Sequence, residues 1–140
     1  MADDDKTYVL DDQVGFVLRR VVQRHLTIFG DHIPQVTNMQ FAVLVRLHQS
    51  GPQSQNHLGR AAAMDAATVK GVVGRLEAMA LVERRADPDD RRRLTVALTD
   101  AGQALIEGLY GKGHAVTAET LAPLNAEERQ QLLALLSRLA

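Results

Sequence analysis

The chain has 140 residues, 46% hydrophobic and 24% charged, with a formal net charge of −1 at pH 7. That suits one domain, or two small lobes, with an ordinary core, and the lack of any apolar run of about 18 residues excludes a spanning helix. Without cysteine there is no disulfide, thiol nucleophile or thiol-based redox sensing, and the acidic start MADDDK lacks the apolar segment of a secretory signal, so a cytoplasmic protein is expected.

The first ten residues read as a frayed start. From Leu10 the positions 10, 14, 17, 18, 21, 22, 25 or 26, and 28 or 29 keep helical spacing. They predict a first helix over about 10–31, with Arg19, Arg20, Gln23 and Arg24 mostly on other faces. Pro34 falls in the next loop. Thr37 and Gln40 have the spacing of a capping box and open a second helix, on which Phe41, Leu44, Val45 and His48 share a face. Ser50-Gly51-Pro52 stops it. A short third helix starts at Gln53 or Ser54, with Leu58 and Ala61 or Ala62 inward. Asp65 is placed to cap a fourth. Its apolar stripe is Val69, Val72, Val73, Leu76 and Met79. The opposite face holds Ala67, Lys70, Gly71, Gly74 and Arg75, small or basic with no large apolar group.

Leu81–Arg85 and Leu94–Leu98 read as the strands of a hairpin, and Asp87-Pro88-Asp89-Asp90 between them is rich in turn formers. Thr99 caps a fifth helix. Gly108, Gly111 and Gly113 predict a bend or weak spot in it, since each interior glycine costs about 0.5–1 kcal/mol relative to alanine. Asn125 and Glu128 form another capping box, followed by the stripe Leu132, Leu133, Leu136 and Leu139. The expected fold is mainly α with a small β-hairpin wing (α+β). It has a winged helix-turn-helix core at 34–98 and terminal helices, 8–33 and 99–140, forming a dimerisation bundle within a single-chain domain 1–140.

Charge is unevenly spread. Residues 1–12 carry five Asp against one Lys, and residues 84–93 carry five Arg against three Asp. A basic tip on a near-neutral body suits a site-directed binder of double-stranded DNA. The fourth helix fits a major groove about 12 Å wide; Asp65 and Thr68 lie at its N-terminus, where free amides favour phosphate. Arg91, Arg92 and Arg93 are placed to reach an adjacent groove, with the aspartates ordering the loop through turn bonds and pairing with arginine. Leu132, Leu133, Leu135 and Leu136 exceed what one buried face requires. A homodimer joined by its terminal helices is the economical solution, with Leu10, Val14, Leu121, Leu132, Leu133 and Leu136 at the interface, an intramolecular bundle being the alternative. The dimer also sets two recognition helices roughly 34–36 Å apart, matching a pseudo-palindrome.

The segment LGRAAAMDAATVKGVVGRLEAMALVERRADPDDRRRLTVALTDAGQAL, residues 58–105, and above all LVERRADPDDRRRLTVALTDAG, resembles the MarR family of bacterial transcriptional regulators. Resemblance implies a homodimeric winged-helix repressor or activator, expected here as a repressor, released from DNA by a small anionic, often aromatic, effector. It places Ala67, Thr68, Lys70 and Arg75 on the recognition helix and Asp89, Arg91 and Arg92 on the wing, braced by Asp89 or Asp90 pairing with Arg91. Ser54, Asp65, Gly71 and Arg93 complete the expected DNA-binding set. Ala66, Ala67, Gly71 and Gly74 offer few polar base readers, so shape readout and phosphate contacts carry more of the specificity. Effectors in the family bind between the dimer helices and the DNA-binding lobe; here His25, Phe29, Phe41, Val45 and Arg46 are candidates, the phenylalanines for an aromatic ring and a cation for a carboxylate. The same residues also read as plain core.

No cofactor is expected. The five histidines lack ligand spacing, so no metal is expected either. No nucleophile elbow, phosphate-cradling loop or paired carboxylates in an apolar setting supports an enzyme. A protein-interaction dimer that has lost specific DNA binding is the alternative.

Overall fold

The computed structural model describes residues 7–140. The expected frayed start falls largely on residues 1–6, outside the described residues. In chain order the elements are α1 (Val14–His32), α2 (Asn38–Ser50), α3 (Gln55–Ala61), α4 (Ala66–Ala78), β1 (Val82–Ala86), β2 (Leu94–Leu98), α5 (Asp100–Thr120) and α6 (Ala126–Leu139). They divide into two compact units: the chain up to His32 with His114–Ala140, and Ile33–Gly113. No helix among the described residues is long and apolar enough to cross a membrane.

In the Ile33–Gly113 unit, local caps set the helix starts. Thr37 Oγ1 accepts the Gln40 amide while Gln40 Oε1 accepts the Thr37 amide, a closed capping box worth about 1 kcal/mol. The buried face of α2 is Gln40, Val43, Leu44 and Leu47. The expected face of Phe41, Leu44, Val45 and His48 is thus rotated; Phe41, Val45 and His48 are half-buried. Ser54, not Gln53, caps α3, accepting the His57 amide. Gln53 instead bridges to Val96 beside the hairpin. On α4, Val69, Val72, Val73 and Leu76 are buried, each worth about 1.5–3 kcal/mol. Met79 does not continue that stripe and is 44% exposed. The helix ends there because Ala80 takes a left-handed φ of 60° and the Leu81 and Ala80 amides fold back to the Leu76 and Glu77 carbonyls.

β1 and β2 pair antiparallel, Val82 opposite Leu98 through Ala86 opposite Leu94. β1 begins one residue later than expected. The base of the hairpin is locked onto α5. Thr99 Oγ1 accepts the Gly102 amide as a cap and donates to the Ala80 carbonyl at 2.7 Å. Gly102 is packed so closely that a Cβ would lie 2.0 Å from the Leu81 carbonyl oxygen. The glycine-rich middle of α5 does not break it: the helix is continuous over 21 residues. Burial of Ile106, Leu109 and Val116 along it outweighs the glycine penalty.

In the other unit a 3-10 turn, Leu10–Asp12, precedes α1. The expected single helix from Leu10 is interrupted at Gln13, whose backbone is extended and whose side-chain amide donates to the Val9 carbonyl. The end of α5 is fastened along α1. Arg24 donates to the Thr120 and Glu119 carbonyls at 2.8 and 3.0 Å, satisfying carbonyls that a helix end leaves open. His25 Nδ1 lies 2.9 Å from Thr120 Oγ1, and His32 pairs with Glu119. Asn125 and Glu128 close the second capping box, on α6.

Candidate nucleic-acid interface

α3 and α4 meet through a tight turn at Ala62–Asp65. Ala63 is left-handed (φ 57°), and the Met64 amide returns to the Gly59 carbonyl at 2.7 Å. A Cβ on Gly59 would sit 3.1 Å from both Met64 O and Val69 Cγ1, so any larger residue there would push its neighbours back by a few tenths of an ångström. Asp65 caps α4, Oδ1 accepting the Thr68 amide at 2.7 Å. Hydrogen bonds from the Thr68 side chain and backbone hold its carboxyl below the ordinary value. Val69, Val72, Val73 and Leu76 face inward, which leaves Ala66, Ala67, Lys70, Gly74 and Arg75 exposed on the outer side. Gly71 is half-buried under the Arg75 side chain, whose Nη1 would be 3.8 Å from a Cβ there.

The wing tip is ordered by its aspartates through backbone turns. Asp87 Oδ1 accepts the Asp89 amide and Asp90 Oδ1 the Arg92 amide. The Arg93 amide donates to the Asp90 carbonyl and the Asp87 amide to the Arg93 carbonyl. The expected brace, Asp89 or Asp90 pairing with Arg91, is not formed. Among the described residues the arginine ion pairs of this hairpin are Arg84 with Glu77 and Arg85 with Glu83, lower down β1, while the Asp87 and Asp90 carboxylates each accept a turn amide. Arg91, Arg92 and Arg93 are exposed, and no ion pair or side-chain hydrogen bond engages their guanidiniums among the described residues.

The expected DNA-binding residues therefore gather in one unit. Ser54 and Asp65 are helix caps, Ala67, Thr68, Lys70, Gly71 and Arg75 lie on α4, and Asp89 and Arg91–Arg93 on the wing. The expected effector residues are divided. Half-buried His25 and buried Phe29 belong to the terminal unit. Phe41, Val45 and Arg46 belong to the other, where Arg46 Nε donates to the Ala61 carbonyl at 2.7 Å. Of the expected interface residues, Leu121 and Leu132 are half-buried, and Leu10, Val14, Leu133 and Leu136 are exposed. Sequence reasoning left Glu77 and Gln55 unassigned, although Arg84 binds both; the surplus of arginine before the wing was the one available signal. Among the described residues no group of three or more His, Cys, Asp or Glu side chains is placed to hold a metal ion.

The MarR family pattern matches residues 36–94, which spans α2 to the first residue of β2. Over 138 residues the chain is 40% identical to the HTH-type transcriptional repressor NicR of Pseudomonas putida, covering 97% of this chain and 87% of that protein. It superposes with a TM-score of 0.89 and 40% identity on Bordetella bronchiseptica BpsR, whose DNA binding is regulated by 6-hydroxynicotinic acid, over 94% of this chain and 96% of that one. It is also similar to a cysteine-to-serine mutant of MarR from E. coli complexed with operator DNA, with a TM-score of 0.83 and 25% identity over 90% and 92% of the two chains. The chain belongs to the MarR family of winged helix-turn-helix, DNA-binding transcriptional regulators, and is not an enzyme.

Proposed function

We propose that this chain acts as a homodimeric repressor on a pseudo-palindromic operator and is released by a small aromatic carboxylate. One observation carries the reading: a single unit turns outward both the small, basic face of α4 and three guanidiniums at the wing tip that have no partner among the described residues. A protein gains little by holding three such charges together in solvent; meeting phosphate and a narrow groove accounts for them. In this reading Ser54, Asp65, Ala67, Thr68, Lys70, Gly71 and Arg75 meet one groove and its backbone, and Asp89 and Arg91–Arg93 form the finger beside it.

The dimer is supported by apolar surface that the lone chain leaves uncovered. Val14, Val17, Leu18, Val21, Val22 and Leu26 on α1 are each 40–64% exposed. On α6 Leu133, Leu135 and Leu139 are 53–73% exposed. Patches of this kind mark interfaces. The effector class is supported by the likeness to BpsR, and the candidate effector residues are His25 and Phe29 in the terminal unit and Phe41, Val45 and Arg46 in the other.

Fluorescence anisotropy of a labelled duplex tests this, run over a salt series with and without 6-hydroxynicotinic acid. We expect binding that weakens steeply with salt, by about 0.9 in log–log slope per neutralised phosphate, and weakens again with the acid. Flat salt dependence would support the protein-interaction alternative. Steep binding indifferent to the acid would leave the DNA reading standing and remove the proposed effector.

A further inference from the structure

Arg84 lies at the middle of β1, past its one buried residue, Val82. It shares a sheet face with Val82 and stands opposite Val96, and both valines are buried. Its guanidinium reaches two helices at once. Nε donates to Glu77 Oε1 at 3.0 Å, in the last turn of α4, and Nη2 donates to Gln55 Oε1 at 2.8 Å, on the first residue of α3. The backbone repeats the connection. Val96 and Gln53 exchange N–H···O bonds of 2.8 and 3.2 Å, so one ladder row runs Arg84, Val96, Gln53, immediately before the Ser54 cap. Arg85, one residue on, pairs within its own hairpin, to Glu83 and the Leu98 carbonyl.

Resting on the reading that α4 and the wing engage one duplex together, we propose that Arg84 is a positioning residue. It fixes the recognition helix against the wing strand, so that both reach DNA already aligned, and does not itself touch DNA. A fork of donors in a rigid plane suits this task, because it sets an angle as well as a distance. The pair is about a third exposed and so adds little to folding stability. Its effect falls on binding, where a helix free to pivot must be ordered at the moment of association.

The test titrates wild type, Arg84→Met, Glu77→Gln and the exchanged pair Glu77→Arg/Arg84→Glu against a duplex selected from a random library, over a salt series. Methionine keeps the apolar stem and removes the fork. In the exchanged pair the Gln55 amide can still donate to the carboxylate. Arg84→Met should bind about tenfold more weakly with the wild-type salt slope, because no phosphate contact is lost. Glu77→Gln should lose less, the exchanged pair should recover part of the loss, and unfolding midpoints should stay near wild type. Unchanged affinity in Arg84→Met overturns the proposal. So does a slope that drops by about 0.9 or more, which would make Arg84 a phosphate contact, an exchanged pair no better than Arg84→Met, or a fall in midpoint that tracks the lost affinity. Wild type that shows no salt-dependent binding defeats the functional reading itself, and this proposal with it.

Discussion

The same substitution at two glycines of α5 should act in opposite directions. Gly102 lies in the first turn, and its added Cβ would stand 2.0 Å from Leu81 O and 2.9 Å from Leu81 C. Relief needs a shift of more than about 1 Å between α5 and the start of β1, against the Thr99 amide bond to Leu81 O and the Thr99 hydroxyl bond to Ala80 O. Overpacking of this kind costs about 1–3 kcal/mol. Gly108, on the same helix, has nothing within 4 Å of its would-be Cβ, so alanine there should gain about 0.5–1 kcal/mol by helix propensity. At about 4 °C per kcal/mol for a chain of this size, Gly102→Ala should lower the melting midpoint by about 4–12 °C and Gly108→Ala should raise it by about 2–4 °C. Thermal melts by circular dichroism at matched protein concentration read both. A Gly102→Ala variant as stable as wild type, or two variants equally destabilised, would refute the packing at the base of the wing.

Changing Arg91 and Arg92 together to alanine should leave the melting midpoint unchanged and lower the salt slope of DNA binding by about 1.8 per wing; an unaltered slope would take the wing out of the interface. Leu133→Asp with Leu136→Asp should leave the chain folded but convert it to monomers in sedimentation velocity, and persistence of a dimer would remove α6 from the interface. Because the folded-state pKa of Asp65 is lowered by its bonds from Thr68, its contribution is present above the unfolded-state pKa and is lost as pH falls through the lower folded value. Urea melts on the acid side should therefore lose stability in wild type more steeply than in Asp65→Asn, whose cap still accepts the amide without titrating; parallel curves would show that the charge does not matter.

What was legible in the sequence was mostly local. Thr37 with Gln40, Asp65, Thr99, and Asn125 with Glu128 each cap a helix within three residues of their partner, so spacing alone revealed them. The hairpin was legible because the sequence of β2, LTVAL, alternates and the tip is full of turn formers. The rotated face of α2, the bridge from Gln53 to Val96 and the continuity of α5 across three glycines are set by what packs against them, which periodicity does not report. Met79 leaves the α4 stripe because Ala80 turns the chain left-handed one residue later, a conformation alanine does not announce. At the site, charge pattern located Lys70, Arg75 and Arg91–Arg93, whereas the partners of Arg84 sit 7 and 29 residues away in sequence. Of the two roles expected for the tip aspartates, the turn bonds form at Asp87 and Asp90 and the pairing with arginine does not, because turn formers announce a local bond whereas the reach of a long arginine is set by its surroundings.

Sedimentation velocity of a fluorescent duplex titrated with the protein, at low salt and again at high salt, reads stoichiometry and electrostatic dependence together. Two chains on each duplex at low salt, dissociating as salt rises, is the predicted result. One chain per duplex, or a duplex that sediments alone at the lowest salt, would contradict the account.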